Sequence, residues 1–253
     1  MVRAQAVYNR LKDLANKDQK GFITPAVFDN FAALAQINIY NELFQELVKA
    51  KQIQRSNFDP GRDKSVRKQT LEDLSVFVVS EELVTSGSNA NIFAKPSNLS
   101  KIISISASST LRRGITWDNE DQRYNRREVE LVYDVEKMDR ILKSNLSTPT
   151  SQYPVALISQ DIEVFPSSIS SIRISYYRRP GSVNSLGEFT DSPPRYATVN
   201  MNNMEVFDPN NTFDFMLPPH YEGELVMEMA KLVGVRLRDP NLAGFASQEE
   251  ASE

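Results

Sequence analysis

Cysteine is absent from this chain of 253 residues, and histidine occurs only once, at position 220. Without cysteine there is no disulfide framework, no thiolate nucleophile and no cysteine-ligated zinc or iron–sulfur centre. A single histidine also excludes a histidine-rich metal cage within one subunit. These absences remove many familiar classes of enzyme and metalloprotein.

Long apolar runs and a strong excess of either charge are missing as well. No apolar stretch approaches the roughly 20 residues that cross a bilayer, and the opening segment MVRAQAVYNRLKDLANK lacks the apolar core of a signal peptide. With 29 basic and 33 acidic residues the formal net charge is −4, so no overall attraction to nucleic acid or to anionic membranes is expected. We therefore expect a soluble chain, cytosolic when synthesised, without a membrane partner.

The motifs of familiar enzymes do not occur. The sequence has no GxxxxGK[ST] phosphate loop, no GxGxxG fingerprint, no HExxH and no GxSxG elbow. His220 could in principle act as a general base, but no motif supplies a nucleophile or an orienting acid, so we favour a histidine at a helix start. We predict that the chain is not an enzyme, with no catalytic residues, no cofactor-binding residues, no cofactor and no metal ligands.

Helical periodicity dominates both ends of the chain. Residues 3–16 place Val7, Leu11 and Leu14 at helical spacing, and Thr24 with Pro25 forms an N-cap and first-turn pair. From there a long helix is predicted to about residue 52. Its wide apolar face has two edges, one with Phe28, Phe31, Ala35, Ile39, Leu43 and Leu47, the other with Val27, Leu34, Tyr40, Phe44 and Val48. Further helices are predicted around residues 64–75 and from 222 to 238.

The middle of the chain shows the period of two that is typical of strands. Half-buried strands are predicted at residues 103–107, 129–133 and 172–176, and Asp134 is predicted to cap one inserted helix. Residues 181–196 are predicted to form a long irregular loop that reaches outward. The predicted class is α+β, with a helical lobe formed by the N-terminal and C-terminal helices and a central β-rich lobe, either an antiparallel sheet assembly or a barrel.

This pattern divides the sequence into three parts. Residues 1–85 form the N-terminal helical part, and residues 86–217 form the β-rich part with its inserted helix. Residues 218–253 form a C-terminal helix and tail that return to the helical lobe.

Residues 16–23 match the first half of a calcium-binding EF-hand loop. Asn16, Asp18 and Gly21 fall on loop positions one, three and six, but Lys20 and Val27 occupy positions five and twelve, where oxygen ligands are needed. We therefore favour a connection between two helices and expect no calcium binding.

Three other clusters allow both a functional and an ordinary interpretation. The acidic residues at 118–122 could bind a hard cation, although neighbouring arginines favour a solvated loop or salt bridges between subunits. Basic residues between Lys49 and Lys68 could face phosphate or an acidic partner, or form a charged hairpin tip. Tyr176 to Arg179 could stack on bases, but a core position for Tyr176 is favoured.

Three segments carry a resemblance to a known family. They are NKDQKGFITPAVFDNFAALAQINIYNELFQEL, SQYPVALISQDIEVFPSSISSIRISYYRRP and FDFMLPPHYEGELVMEMAKLVGVRLRDPNL. Their order, and the patterns GFITP, IEVFP and YYRRP within them, resemble the head-to-tail connector (adaptor or ring) proteins of tailed bacteriophages, most of all the ring proteins of crAss-like phages. The resemblance covers most of the chain.

The resemblance implies a structural virion protein, a subunit of a ring that joins the capsid portal to the tail and encloses the DNA channel. The implied partners are copies of itself, typically twelvefold in related phages, the portal protein and other tail or ring proteins. DNA would pass through without sequence-specific binding, and the protein would reside in the virion after assembly in the host cytoplasm.

Two expectations accompany this interpretation. Tyr40 and Phe44, on the second apolar edge of the long helix, are expected to lie nearer a subunit boundary than Phe31. The alternative function is a non-catalytic binding module or accessory head protein with a ligand face on the β-rich part.

Overall fold

The structure is a computed structural model that describes residues 1–17, 23–56, 62–85, 91–108, 126–201 and 204–237. Five helices lie within these residues: α1 Ala4–Lys17, α2 Pro25–Ser56, α3 Arg62–Leu74, α4 Val135–Lys143 and α5 Glu222–Leu237. Short 3-10 turns precede the first strand, at Ser75–Phe77, and α5, at Pro219–Tyr221.

The same residues contain thirteen strands. They are β1 Val78–Val84, β2 Ile92–Phe93, β3 Leu99–Ser108, β4 Arg126–Glu128, β5 Glu130–Val132, β6 Val155–Ile158, β7 Ile162–Phe165, β8 Ser171–Arg178, β9 Ser182–Val183, β10 Phe189–Thr190, β11 Thr198–Met201, β12 Met204–Phe207 and β13 Asp214–Phe215.

The predicted α+β class is confirmed. Strand pairs are antiparallel except for β5 and β6, which run parallel. Of the two forms predicted for the β-rich part, the described strands form open sheets and no closed barrel. The segment predicted as an irregular loop, 181–196, contains the paired strands β9 and β10, with Gly187 at a positive φ of 82° in the turn between them.

The chain forms two compact units, and each is described by itself. Unit 1 comprises Met1–Phe77 and Pro180–Glu253, and unit 2 comprises Val78–Arg179. These boundaries differ from the divisions after residues 85 and 217 that the change of period suggests. Residues 180–217 are rich in strands, yet they pack with the terminal helices, because β13 contacts α1 and the Val2 amide donates to the Leu217 carbonyl (3.1 Å).

In unit 1, helices from both ends of the chain form one lobe. The helix α2 begins as predicted, with the Val27 amide donating to Thr24 Oγ1 (3.3 Å) as an N-cap bond. Both α1 and α2 pack against α5. Their contact faces bury a shared apolar set: Val7, Leu11, Phe28, Ile39, Leu43, Leu225, Met229 and Val233. The predicted helical lobe is therefore present.

The buried side chain of Gln36 joins α2 to two strand segments of unit 1. Its Nε2 donates to the Gly181 carbonyl (2.7 Å), and its Oε1 accepts from the Met216 amide (2.9 Å). Position 181 requires glycine, because a Cβ there would lie 2.1 Å from the Thr190 carbonyl oxygen. The Gln36 side chain thus fixes the position of the chain where it returns to unit 1.

Unit 2 contains two four-stranded sheets, with strand orders β1-β8-β3-β4 and β2-β7-β6-β5, and the helix α4. Their common core is apolar: Phe93, Ile105, Ala107, Ala156, Ile162, Val164, Ile172, Ile174 and Tyr176. Tyr176 lies in this core, as favoured from the sequence, and its hydroxyl donates to Asn98 Oδ1 (2.8 Å). The alternation predicted for β8 is confirmed.

The alternation predicted for β3 fails at Ile103, which was expected to be buried and is exposed. The register of β3 against β8 shifts between Ile102 and Ser104, and Ile103 is exposed while Ile105 is buried. A bulge of this kind moves side chains to the other face of a strand without any change in the apolar pattern of the sequence.

The strand predicted at 129–133 ends earlier than expected. Asp134 caps α4, as predicted, by accepting the Glu136 amide (2.9 Å) on its Oδ1. Val132 is buried against Met138 of this helix, and Tyr133 is exposed. Because the chain turns into α4 here, Val132 lies inward and Tyr133 outward, which is the opposite of the predicted alternation.

Replacing Gln36 by alanine should destabilise the protein. Two buried backbone groups would lose their partner, and each such loss costs about 1–3 kcal/mol, so we expect a decrease of about 2–4 kcal/mol in the free energy of unfolding. The matched control is Gln45→Ala, an exposed glutamine on the same helix, which should change stability by less than about 0.5 kcal/mol. Urea denaturation compares the two, and equal losses would contradict the role given to Gln36.

Candidate functional site

The only histidine of the chain lies beside an aspartate from a distant helix. His220 Nε2 is 3.2 Å from Asp73 Oδ1, and the Tyr221 hydroxyl donates to Asp73 Oδ2 (3.0 Å). Asp73 comes from the last turn of α3, whereas His220 and Tyr221 belong to the turn before α5. The carboxylate is nearly buried and the imidazole is half exposed. The group therefore ties the end of α3 to the start of α5.

This corner of unit 1 surrounds a neutral tyrosine with carboxylates. Burial is the main reason why the pKa of Tyr221 lies far above its ordinary value, and the hydrogen bond to Asp73 and the charges of Asp73, Glu224 and Glu46 act in the same direction. Burial also raises the pKa of the Glu46 carboxyl, with Glu42 adding to the effect. Tyr221 consequently remains a hydrogen-bond donor to Asp73.

Asp73 and His220 place an acid and a base side by side, and Tyr221 adds a phenol on the other carboxylate oxygen. His220 Nε2 and the Tyr221 hydroxyl approach the two different oxygens of the Asp73 carboxylate. A hydrolytic triad requires a nucleophile within hydrogen-bond reach of its base. The arrangement present is a polar clamp.

A histidine that acts as a base needs an orienting acid, and the sequence pattern did not identify Asp73 as the acid beside His220. The aspartate lies in the ordinary helical segment LEDL, and nothing in its neighbourhood marks it as a partner of a histidine far along the chain. Only the packing of α3 near the start of α5 brings the two together.

Two open grooves flank α5 in unit 1. The groove between α2 and α5 has a volume of about 570 Å³ and a polar lining that includes Asn38, Glu42, Gln45, Glu224, Glu228 and Lys231. There the Asn38 amide donates to Glu228 Oε1 (2.6 Å), and Lys231 Nζ lies 3.7 Å from Glu228 Oε2.

The second groove, called here the apolar groove, lies between α1 and α5. It has a volume of about 360 Å³, and its lining combines Leu14, Val226 and Met227 with the exposed Arg10 and Asp13. Gly223 lines both grooves. A Cβ at Gly223 would meet no atom within 4 Å, so this position leaves open space beside Met227.

The strands β11 and β12 form a two-stranded antiparallel ribbon whose two faces differ. One face carries the cross-strand pairs Thr198–Phe207 and Asn200–Glu205. On this face the Phe207 ring stacks on Tyr196 (5.4 Å between centroids), which stacks in turn on Tyr8 (4.1 Å). The Phe207 end of this face therefore packs on unit 1, whereas Asn200 and Glu205 nearer the tip are exposed.

The opposite face, called here the outer ribbon face, is wholly apolar and exposed. It consists of Val199, Met201, Met204 and Val206, with exposed fractions of 40%, 60%, 67% and 44%. An amphipathic ribbon ordinarily turns its apolar face toward the core and its polar face toward water. In this ribbon the four side chains instead form an exposed apolar patch.

Tyr40 and Phe44 do not occupy a free edge of α2. They are 3% and 7% exposed, and the Tyr40 ring packs edge to face on Phe44 and on Phe77, at 4.9 Å in each case. Phe31 is half buried. The expectation that Tyr40 and Phe44 lie nearer a subunit boundary is therefore wrong, because unit 1 itself covers them. The helix leaves Leu34, Ile37 and Val48 exposed instead.

Several sequence clusters fall wholly or partly outside the described residues. These are residues 18–22 of the loop that matches an EF-hand, the acidic residues 118–122 and the side chains at 50–67, so the interpretations of these clusters stay predictions. At the ends of the basic cluster, Lys49 is exposed, and Lys68 Nζ lies 3.7 Å from Glu72 Oε1. Arg126, after the acidic residues, lies 3.9 Å from Glu82.

Metal and membrane signatures are missing from the part of the chain that the structure describes. No three side chains among its His, Asp and Glu residues come together as a metal site requires. None of its helices combines the length and the apolar character of a membrane span.

The Tyr221→Phe variant should respond less than the wild type to alkaline pH. The folded pKa of Tyr221 is raised above the ordinary value of 10.0, so its stabilisation is complete below pH 10 and is lost as pH rises above 10, where the unfolded chain ionises first. Near neutral pH we expect the variant to be less stable by about 1–3 kcal/mol, because the nearly buried Asp73 loses a donor.

Urea midpoints measured from pH 8 to pH 11.5 test this expectation. The wild-type midpoint should fall more steeply above pH 10 than that of Tyr221→Phe. The control Tyr133→Phe, at an exposed tyrosine, should follow the wild type. Parallel curves for wild type and Tyr221→Phe would contradict the raised pKa.

Comparison with known proteins yields no relative on which a function could rest. No family model matches the chain, and no curated protein matches its sequence. The exposed surfaces of unit 1 and the patterns of the sequence are therefore the basis for the function proposed below.

Proposed function

We propose that the chain is a structural virion protein, a subunit of a ring in the portal–tail connector of a tailed phage. The outer ribbon face is the observation that carries this proposal. Four adjacent apolar side chains, all exposed on one face of β11 and β12, form the kind of patch that marks contact with another protein chain. The three segments that resemble phage ring proteins are the reason for proposing a connector ring rather than another assembly.

Other exposed apolar residues of unit 1 support an assembly role. Leu34 and Ile37 lie about one turn apart on α2, and both are exposed, as is Val48 further along the helix. A chain that functions alone gains stability by burying such residues in its own core. A ring subunit can bury them against its neighbours, so apolar residues on its surface serve the assembly.

The polar site supports a non-catalytic role. The nearly buried Asp73 holds both His220 and Tyr221, so that the end of α3 is clamped to the start of α5. The hydroxyl that approaches the acid belongs to Tyr221, whose raised pKa keeps it protonated. A clamp between two helices stabilises a subunit and requires no substrate.

The proposed partners follow from the ring. They are further copies of the chain, twelvefold by analogy with related phages, the portal protein and other tail or ring proteins. DNA passes through the channel without sequence-specific binding, and the formal net charge of −4 favours passage because it gives no overall attraction to phosphate. The protein then resides in the virion.

A binding module or accessory head protein is the second candidate, and one feature of unit 2 favours it. A groove of about 560 Å³ lies beside α4, and its lining includes Tyr153, Leu146, Lys137 and Glu130. Tyr153 and Leu146 are strongly exposed. An aromatic and an aliphatic side chain beside charged groups are typical of small ligand sites.

Mass measurement separates the two candidates. Light scattering and native mass spectrometry of the full chain, alone and with its portal, should show a closed oligomer or an oligomer on the portal. Electron microscopy of virions should place the protein at the head–tail junction. If the chain stays monomeric both alone and with its portal, or is missing from the junction, the connector proposal is wrong and the binding module is favoured.

A further inference from the structure

The outer ribbon face is a two-by-two array of apolar side chains. Val199 lies opposite Val206 across the ribbon, and Met201 lies opposite Met204. The valine pair is nearer the base of the ribbon, and the methionine pair is two residues farther out along each strand. The methionines are also the more exposed of the four side chains. The face therefore has a row of short side chains near its base and a row of long, flexible ones beyond it.

A ribbon of two strands gains stability when its apolar face is covered. An isolated pair of strands is only marginally stable in water, whereas strands whose apolar face packs on another layer are stable. Within the residues that the structure describes, β11 pairs with β12 and with no other strand. A second apolar layer over the outer ribbon face would therefore stabilise the ribbon.

The charge distribution allows two copies of the chain to meet at this face. The formal net charge of −4 makes two copies repel each other overall, so they associate most readily through surfaces without charge. Glu205 is the only charged residue between 198 and 207, and it lies with Asn200 on the opposite face of the ribbon. Two outer ribbon faces can therefore meet without bringing like charges together.

The attachment of the ribbon determines how two such faces can be oriented. At the base, the Asp208 amide donates to the Ala197 carbonyl (3.0 Å), and Phe207 stacks on Tyr196 of unit 1. Packed sheets lie about 10 Å apart, which leaves no room for two copies of unit 1 at the same end of the contact. The two ribbons therefore run in opposite directions, with their bases at opposite ends.

In this orientation the face is complementary to itself. The valine row of each copy lies over the methionine row of the other, so that position 199 faces position 201 and position 206 faces position 204. Every contact then joins a short side chain to a long one, and this alternation lets two layers interdigitate. The array thus has the shape of its own partner, and a two-fold axis relates the two copies.

The area of the face predicts a weak contact. An exposed patch of this kind covers about 300–600 Å², so two copies would bury roughly 600–1,200 Å² in total. Stable interfaces bury about 1,200–2,000 Å², and smaller ones are typical of transient contacts. We therefore expect association that depends on protein concentration.

We infer that the outer ribbon face packs on the same face of a second copy, with the two ribbons antiparallel, and that the free chain is in this way a weak dimer. The contact closes at two copies because each copy uses the same surface. It is therefore distinct from the contact between neighbours in a ring, and the inference goes beyond the proposed function. The dimer has to open before another surface can contact the face.

Charged variants of the full chain test the dimer. Sedimentation of the wild type should show a monomer–dimer equilibrium that shifts with concentration. Met204→Glu places a charge within the contact and should raise the dimer dissociation constant at least about tenfold, the effect of losing a central contact. The matched control is Asn200→Lys, whose charge lies on the opposite face beside Glu205, and it should leave the constant unchanged. Circular dichroism checks that each chain is folded.

A charge-pairing experiment tests the antiparallel orientation. In the inferred contact, position 204 of one copy faces position 206 of the other, so a mixture of Met204→Glu and Val206→Lys chains should form heterodimers by pairing opposite charges. Each of these chains alone should be largely monomeric. Ribbons with their bases at the same end would place position 204 over position 201, and the mixture of Met204→Glu with Met201→Lys would then be the one that associates.

The outcomes separate this inference from the proposed function. A wild-type chain that shows no dimer at any concentration but assembles with its portal would overturn the inference and leave the connector intact. Dimers that Met204→Glu does not weaken, or that Met201→Lys restores in place of Val206→Lys, would also overturn it. Dimers that pass both tests in a chain that never joins its portal would support the inference and contradict the connector.

Discussion

The side-chain amide of Gln36 carries the contact on which the arrangement of unit 1 depends. Unit 1 is built from two segments that are separated in sequence by the whole of unit 2, so its closure costs chain entropy before any contact forms. Gln36 bonds to Gly181 and to Met216, one near the start of the returning segment and one just before α5. In the folded structure these two bonds and the apolar contacts of α1 and α2 with α5 together hold the returning segment in place.

The exposed surfaces of unit 1 follow from this closure. Once α5 lies against α1 and α2, grooves remain on both of its sides, and Gly223 keeps them open. The returning segment also carries β11 and β12, and Phe207 at the base of this ribbon extends the stack of Tyr8 and Tyr196. The apolar face is thereby directed outward. One closure thus creates both a convex and a concave apolar surface on the same chain.

The polar corner around Asp73 brings together an acid, a base and a phenol from two distant parts of the chain. His220 is oriented by a nearly buried carboxylate, as in many hydrolases, but the hydroxyl bonded to that carboxylate is the phenol of Tyr221. Its raised pKa opposes ionisation, and a neutral phenol is a weak nucleophile. The same three groups hold the end of α3 against the start of α5 through contacts with one carboxylate.

The sequence by itself determined where elements begin and what period they follow, because caps and periodicity are local properties: Thr24 and Asp134 start α2 and α4, and Ile172, Ile174 and Tyr176 alternate into the core. Only the tertiary structure decided which faces are covered. It buried Tyr40, exposed Ile103 and left the apolar face of the β11–β12 ribbon exposed. It also paired His220 with Asp73. The physical reason is that burial and ion pairing depend on what packs opposite a residue, and its partners here come from remote parts of the chain.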